Sequence, residues 1–241
     1  LNRLVVAGDF HAGLELSGVG VTGFVLGNAS IGGQIAEGHW NVQGRSGPIA
    51  AANTGADWFA AFTAPVTSVT TRGDFSGQFF APALQVLQVG GNMVGATIVI
   101  GAKLGADGRL GGTGADADTF GAGNLNRVRI AGGMTNASIR VGVDPANGVF
   151  DDGNDVVAPG GRIQELLVGG AIANDARIVA GTFPASVRIN GQVVAPGTVA
   201  RLRTSSADTV APVVTAHLQN DSGVSATDAL TNDATIAGQV T

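Results

Sequence analysis

"LQVLQVGGNMVGATIVIG", residues 84–101, carries no charged side chain and is studded with glycine. It reads as a membrane span, a helix, or one copy of a repeat, and the choice decides the fold. A spanning helix needs about 20 mainly apolar residues, and this run is broken by Gly90, Gly91, Asn92, Gly95 and Gly101. Each interior glycine costs a soluble helix about 1 kcal/mol. The β-branched residues and the alternation Leu87-x-Val89 favour a strand.

Comparing the chain with itself settles the matter. The stretch fits φ-x-x-φ-x-φ-x-G-x-φ, with φ apolar, as Leu84, Leu87, Val89, Gly91, Met93. The same ten slots fit Leu1, Leu4, Val6, Gly8, Phe10; Leu125, Val128, Ile130, Gly132, Met134; and Ile163, Leu166, Val168, Gly170, Ile172. Val66, Val69, Thr71, Gly73, Phe75 fits with one threonine, and Pro184, Val187, Ile189, Gly191, Val193 with a proline first. Weaker copies begin at Val21 (Phe24, Leu26, Asn28) and Glu37 (Trp40, Val42, Gly44). The starts lie mostly 16 to 21 residues apart. A period near 20 made of short strands suits one rung of a β-solenoid.

The template predicts geometry. Slots 4, 6, 8 and 10 share one strand face. With 4, 6 and 10 inward, the slot 8 glycine also points inward, where a missing Cβ permits a corner or a close backbone approach. A second apolar pair follows each copy, as in Leu14/Leu16, Ile98/Ile100, Ile139/Val141 and Ile178/Ala180, and reads as a second wall. A hairpin-built β-sandwich is the alternative, but it needs no glycine at a fixed offset. The expected fold is all-β. It is a right-handed parallel β-solenoid (β-helix) over 1–205, with rungs of about 20 residues, its hand taken from the strand-crossover rule. Eight to ten rungs at about 4.8 Å each give a rod of roughly 40–50 Å.

Composition narrows the function. The net charge of −5 over 241 residues offers no basic surplus for nucleic acid. With no cysteine, disulfides are excluded. The 39 glycines show no three-residue period, which excludes collagen, and 44% hydrophobic content argues against disorder. The chain begins at Leu1 without methionine or a charged-then-apolar leader, and so reads as part of a longer protein.

Two gaps in the period hold insertions at about 102–123 and 143–161, both acidic and glycine-rich, expected to leave one side as loops. The second has the residue types of a calcium loop: Asp144, Asn147, Gly148, Asp151, Asp152, Asn154 and Asp155. Calcium takes six to eight oxygens, which closely spaced Asp and Asn can supply. The spacing is not that of an EF-hand, and a solvated acidic turn is the alternative. Asp107, Asp116 and Asp118 are weaker candidates in the first insertion.

From about Asp208 the template is gone. Asp208, Ala211-Pro212, Asn220-Asp221-Ser222-Gly223, Thr227-Asp228, Thr231, Asp233 and Gly238 resemble the opening of a bacterial immunoglobulin-like repeat, of the sort strung along large surface adhesins. Residues 206–241 are thus expected to be a linker and the truncated start of an immunoglobulin-like β-sandwich, too short to close one of about 100 residues. The resemblance implies calcium at a module junction, with Asp221, Asp228 and Asp233 as ligands; a turn using Asp for backbone hydrogen bonds is the alternative. Over about 1–200 the chain is similar to glycine-rich stalk regions of large repetitive bacterial surface proteins, through its low-specificity "VGG" punctuation.

Catalytic signals are sparse. His11, His39 and His217 have no ligand spacing, and no nucleophile motif is present. A polysaccharide-active β-helix enzyme would need paired carboxylates on adjacent rungs, yet Glu15, Glu37, Asp74 and Glu165 are isolated. Asp57-Trp58-Phe59 could form a sugar platform, but fits a core better. No catalytic residue is assigned. The expected role is a stiff stalk of a secreted or cell-surface bacterial protein, extracellular, whose partners are neighbouring modules of the same polypeptide and cell-surface glycans or proteins. No nucleic acid partner and no membrane span are expected. Carbohydrate binding or polysaccharide degradation is the rival reading.

Overall fold

The first six slots of the template put apolar residues on one side of an extended segment, and the last four start a second segment beyond a corner. The structure, a computed structural model, describes residues 1–18 and 22–204, together with the backbone of the strands Val214–Leu218 and Ile236–Val240. The chain divides into two compact units, Leu1–Ala207 and Asp208–Thr241.

Two long parallel sheets build the first unit. One contains Leu4–Val6, Phe24–Leu26, Ala29–Ile31, Arg45–Ala51, Val66–Thr71, Ala83–Val89, Asn124–Ile130, Arg162–Val168, Val187–Ile189 and Gln192–Val194. The other contains Leu14–Leu16, Gln34–Val42, Asn53–Phe62, Phe75–Ala81, Met93–Ile100, Met134–Thr135, Ser138–Val141, Arg177–Ala180 and Leu202–Arg203. The chain passes back and forth between the sheets, and apart from the antiparallel Gln192–Val194 the strands pair in parallel with their counterparts in the next repeat. This is a β-helix-like arrangement, not a hairpin-built one.

The register matches the template. Leu84 pairs with Val66 and Leu125, Leu87 with Val69 and Val128, and Val89 with Thr71 and Ile130; Val128 and Ile130 continue to Leu166 and Val168. In the second sheet, Leu14, Trp40, Ala60, Phe79, Ile98, Ile139, Ile178 and Leu202 form one column. The inward residues of both sheets make a single continuous core. Thr71, the one polar member of its column, is satisfied because its hydroxyl donates to Gly73 O at 2.9 Å. Trp40 and Trp58 lie fully buried and meet edge to face at 5.6 Å.

Two weak copies are shifted from their expected places. Leu26 stacks on Ser46 and Ala29 on Ile49, so the second copy is Leu26, Ala29, Ile31, Gly33, Ile35; the third begins Ser46, Ile49, Ala51 and is one residue shorter at the corner, where Asn53 pairs with Gln34 and Thr54 with Ile35. Phe24 instead points outward beneath the Arg45 guanidinium, 5.2 Å from its ring centroid. Trp40 and Val42 belong to the second wall, beside Leu14 and Leu16. Apolar residues two apart occur on both walls, so the pattern alone does not say which wall is being read. The eighth copy also departs: Gly191 ends a tight turn and Val193 runs back antiparallel, exposed, along the first sheet.

The slot 8 glycine has a specific cause. The Oδ1 atoms of Asp9, Asn53, Asp74 and Asn92 accept the backbone N–H of Gln34, Asp74, Asn92 and Gly133, one repeat further on, at 2.7–2.9 Å. A Cβ on Gly33, Gly73, Gly91 or Gly132 would stand 2.1–2.3 Å from these same oxygens. At these four corners a ladder of Asp and Asn side chains thus closes over the glycine of the next repeat; at Gly170, where Gly133 stands in place of Asp or Asn, the close neighbour is backbone, Gly133 N at 2.8 Å.

Each insertion opens and closes on a short antiparallel pair, Ala102–Lys103 with Thr119–Phe120 and Val143–Asp144 with Val156–Val157. In the second unit Val214–Leu218 pairs antiparallel with Ile236–Val240. Asp221, Asp228 and Asp233 lie outside the described residues. Among the described residues no helix is long and apolar enough to cross a membrane.

Candidate functional site

The outward face of the second sheet carries the features most unlike a bare scaffold. Its central row runs Glu15, Asn41, Ala61, Phe80, Val99, Arg140, Val179 and Arg203 in register. An outward row should be solvated, yet Asn41 through Val179 are buried. The insertions cover them. Ala61, Phe80, Val99, Ala102 and Leu104 form a second apolar core, joined by Phe59, Leu110, Phe120 and Phe150. Phe59 stacks on Phe80 at 5.1 Å, and Phe120 meets Phe150 edge to face at 6.3 Å, linking one insertion to the other.

Polar anchors fix the first insertion. Asn41 Nδ2 donates to Ala106 O at 2.9 Å and to Glu15 Oε1 at 2.8 Å, and Gln43 Nε2 donates to Ala106 O at 3.0 Å. His39 Nε2 lies 3.0 Å from Gly108 O, and its ring packs on Phe59. Asp118 ties the loop to itself, accepting the amides of Gly105 at 3.0 Å and Gly111 at 2.6 Å. Burial nevertheless raises its pKa above the ordinary carboxylate value, outweighing those two amides. Asp116 and Asp107 accept backbone amides of the same loop.

The second insertion is pinned by charge. Asp151 accepts a hydrogen bond from Arg140 and forms an ion pair with Arg177 at 3.0 Å. Arg140 is buried beneath the Phe150 ring, whose centroid lies 4.7 Å from its guanidinium carbon, and it also donates to Ser138 Oγ. Burial lowers the Arg140 pKa, and Asp151 works against that shift. A buried guanidinium needs such a partner.

The predicted calcium residues are therefore spread over several tasks. Asp151 faces two arginines. Asp144 Oδ1 accepts the Ala146 amide at 2.9 Å, and Asn147 Nδ2 donates to Asp152 Oδ2 at 2.6 Å. Asp155 Oδ2 accepts the Asp151 amide at 2.8 Å, and burial raises its pKa. Among the described residues no three His, Cys, Asp or Glu side chains converge as one metal-holding group. Asp144 and Asn147 instead line a cleft of about 620 Å³ between the insertions, with Asp118, Phe120, Gly111 and Gly148.

On the other sheet Glu165 sits between Arg127 and Arg129, at 2.8 and 2.7 Å. Their hydrogen bonds hold its carboxyl below the usual range, so it is an ion-paired surface group and not half of an acid–base pair. Trp58 is core and offers no sugar platform. Sequence reasoning overlooked the buried outward row. Its signal lies in "FAAF" (59–62), "FFA" (79–81) and "IVI" (98–100), where alternation is lost and both strand faces are apolar, as in a strand covered on both sides. No family model matches the chain, and neither a curated protein nor a solved structure matches it.

Proposed function

We propose that the first unit is a closed, right-handed β-solenoid that serves as a stiff segment of a secreted or surface-displayed bacterial protein, keeping neighbouring modules of the same polypeptide apart. The observation that carries this reading is the column Val66–Leu84–Leu125–Ile163 with its partners two and three slots on: one core runs through successive repeats without interruption. Such a stack resists bending because every repeat is tied to the next by backbone hydrogen bonds and by apolar contact. The hand follows from the crossover rule for parallel strands. The second unit, on this reading, begins an immunoglobulin-like module.

Small-angle scattering on the 1–207 unit tests the shape. Eight repeats at about 4.8 Å give a stack near 40 Å long, so the scattering should fit a compact two-walled stack of that length, whereas an expanded, chain-like profile would refute it. Antibody labelling of intact cells tests surface display. The cleft between the insertions favours a second reading, adhesion to a polar ligand such as a glycan. A glycan array with wild type and Asp144→Ala/Asn147→Ala reads it: signal lost in the variant supports adhesion, and no signal in either leaves the spacer.

A further inference from the structure

The two ends of the stacked repeats differ. At one end Leu4–Val6 and Leu14–Leu16 are edge strands, each paired on one side. Their inward residues Leu4, Val6, Phe10, Leu14 and Leu16 are only half-buried, while the counterparts one repeat on, Ala29, Ile31, Ile35, Trp40 and Val42, are at most 1% exposed. Leu4 N–H donates to Asn28 O and Val6 O accepts from Gly32, so the intervening N–H and C=O of Val5 point to the open side. At the other end, Asn190 and Gly191, at φ 49° and 76°, turn the chain into the antiparallel return Gln192–Val194, and Pro196 follows. Val194 and Val199 pack against the core there. An antiparallel return does not continue a parallel stack, so the first sheet is blunted at this end, while the second ends on the two-residue strand Leu202–Arg203.

Gly8 adds a second, independent observation. Its equivalents Gly33, Gly73, Gly91 and Gly132 are each closed over by an Asp or Asn oxygen from the preceding repeat. Nothing lies within 4 Å of a Cβ built on Gly8, and its φ is not positive. Space for such an oxygen is present, and the amide equivalent to its four recipients is that of Asp9.

We infer that the Leu4–Val6 end is a docking edge for one further repeat of this chain's own pattern, received in parallel, with Asp or Asn in slot 9 closing over Gly8. This rests on the stalk reading. A second copy meeting this edge head to head would run antiparallel and bring no such side chain to Gly8, so the occupant is a parallel repeat.

The test places a copy of residues 66–83 directly before Leu1, recreating the native Ala83–Leu84 junction in the otherwise unchanged chain. Hydrogen exchange is read by amide. The added repeat should slow the amides of Val5, Asp9 and Glu15 by at least about tenfold and raise the melting midpoint. Changing the added Asp74 to Ala should restore fast exchange at Asp9 while Val5 stays slow. Gly8→Ala should be neutral in the original chain and destabilising in the extended one. Unchanged edge amides, or equal effects of Gly8→Ala in both chains, would overturn the inference. So would sedimentation of the original chain as a dimer with Val5 already protected. Failure of the stalk reading would look different, with fast exchange across 84–100 in both chains.

Discussion

The corner ladder can be tested at Gly73, because there the obstruction is a side chain alone. A Cβ on Gly73 would lie 2.3 Å from Asn53 Oδ1, while the nearest backbone atom, Ala52 O, is at a comfortable 3.5 Å. Gly73→Ala should therefore cost about 1–3 kcal/mol, the usual range for forcing extra volume into a packed site. Asn53→Ala removes the acceptor for the Asp74 amide, a 2.8 Å bond at an exposed corner. Water can replace that acceptor, so the cost should be about 0.5–1.5 kcal/mol. The double variant has no amide oxygen to collide with, and its cost should be close to that of Asn53→Ala alone. The expected coupling is thus the whole cost of Gly73→Ala, about 1–3 kcal/mol in favour of the double variant, well above the ~0.5 kcal/mol scatter of independent sites. Urea unfolding of the four chains measures it, with equal m-values showing that the unfolded states are comparable. Gly91→Ala with Asp74→Ala is the control: there Gly73 C also lies at 2.8 Å, so rescue should be incomplete. Additive costs at Gly73 would mean that its glycine is needed for something other than the Asn53 side chain.

Four further outcomes follow. Ile130→Ala should cost about 2–5 kcal/mol, since Ile130 is fully buried between Val89 and Val168, whereas Arg129→Ala on the outer face should fall within about 0.5 kcal/mol; denaturant melts compare them. Asp151→Ala strands the Arg140 guanidinium beneath Phe150 and should cost about 2–4 kcal/mol, less than a wholly buried pair because Asp151 is partly open, with limited proteolysis showing early cutting in 143–161. Asp118 and Asp155 have folded-state pKa values raised by burial, so their contribution to stability is fully present below the unfolded value and is lost as pH rises through the folded one; relative to Asp118→Asn/Asp155→Asn, the wild type should gain stability as pH is lowered from about 7 to about 4 in chemical melts, and a relative loss would contradict the burial argument. Gathering a calcium shell in the second insertion would require Asp151 to leave two arginines, so about 1 mM calcium should shift the thermal midpoint by less than about 1 °C, and a rise of several degrees would show that the loop rearranges around the ion.

The stack was legible because it is written in a local code. Leu84, Leu87 and Val89 reappear as Leu125, Val128 and Ile130 at fixed offsets, and parallel pairing turns equal offsets into equal register. The same code misplaced the copies at Val21 and Glu37, because Trp40/Val42 on the second wall has the same two-residue spacing as Leu4/Val6 on the first. Placing Leu26 in slot 1, where Ser46 faces it, yields starts at 26 and 46 and removes the irregular interval before Val66.

The insertion face was hidden for a different reason. Asn41, Phe80 and Arg140 share one row only because strands from five successive repeats lie side by side, with Ala61 and Val99 between them, and what buries them arrives from residues 102–157. The acidic residues of that segment read alike in sequence, yet their surroundings divide them. Asp151 meets cations, Asp118 meets amides, and Asp144 faces the open cleft. A carboxylate becomes a ligand for an outside group where its own fold has left it oxygen to spare. Asp151 has both oxygens on arginine, Asp118 both on backbone amides and Asn147 its oxygen on the Val149 amide, so of the acidic residues that line the cleft Asp144, with one oxygen on the Ala146 amide, is the least committed.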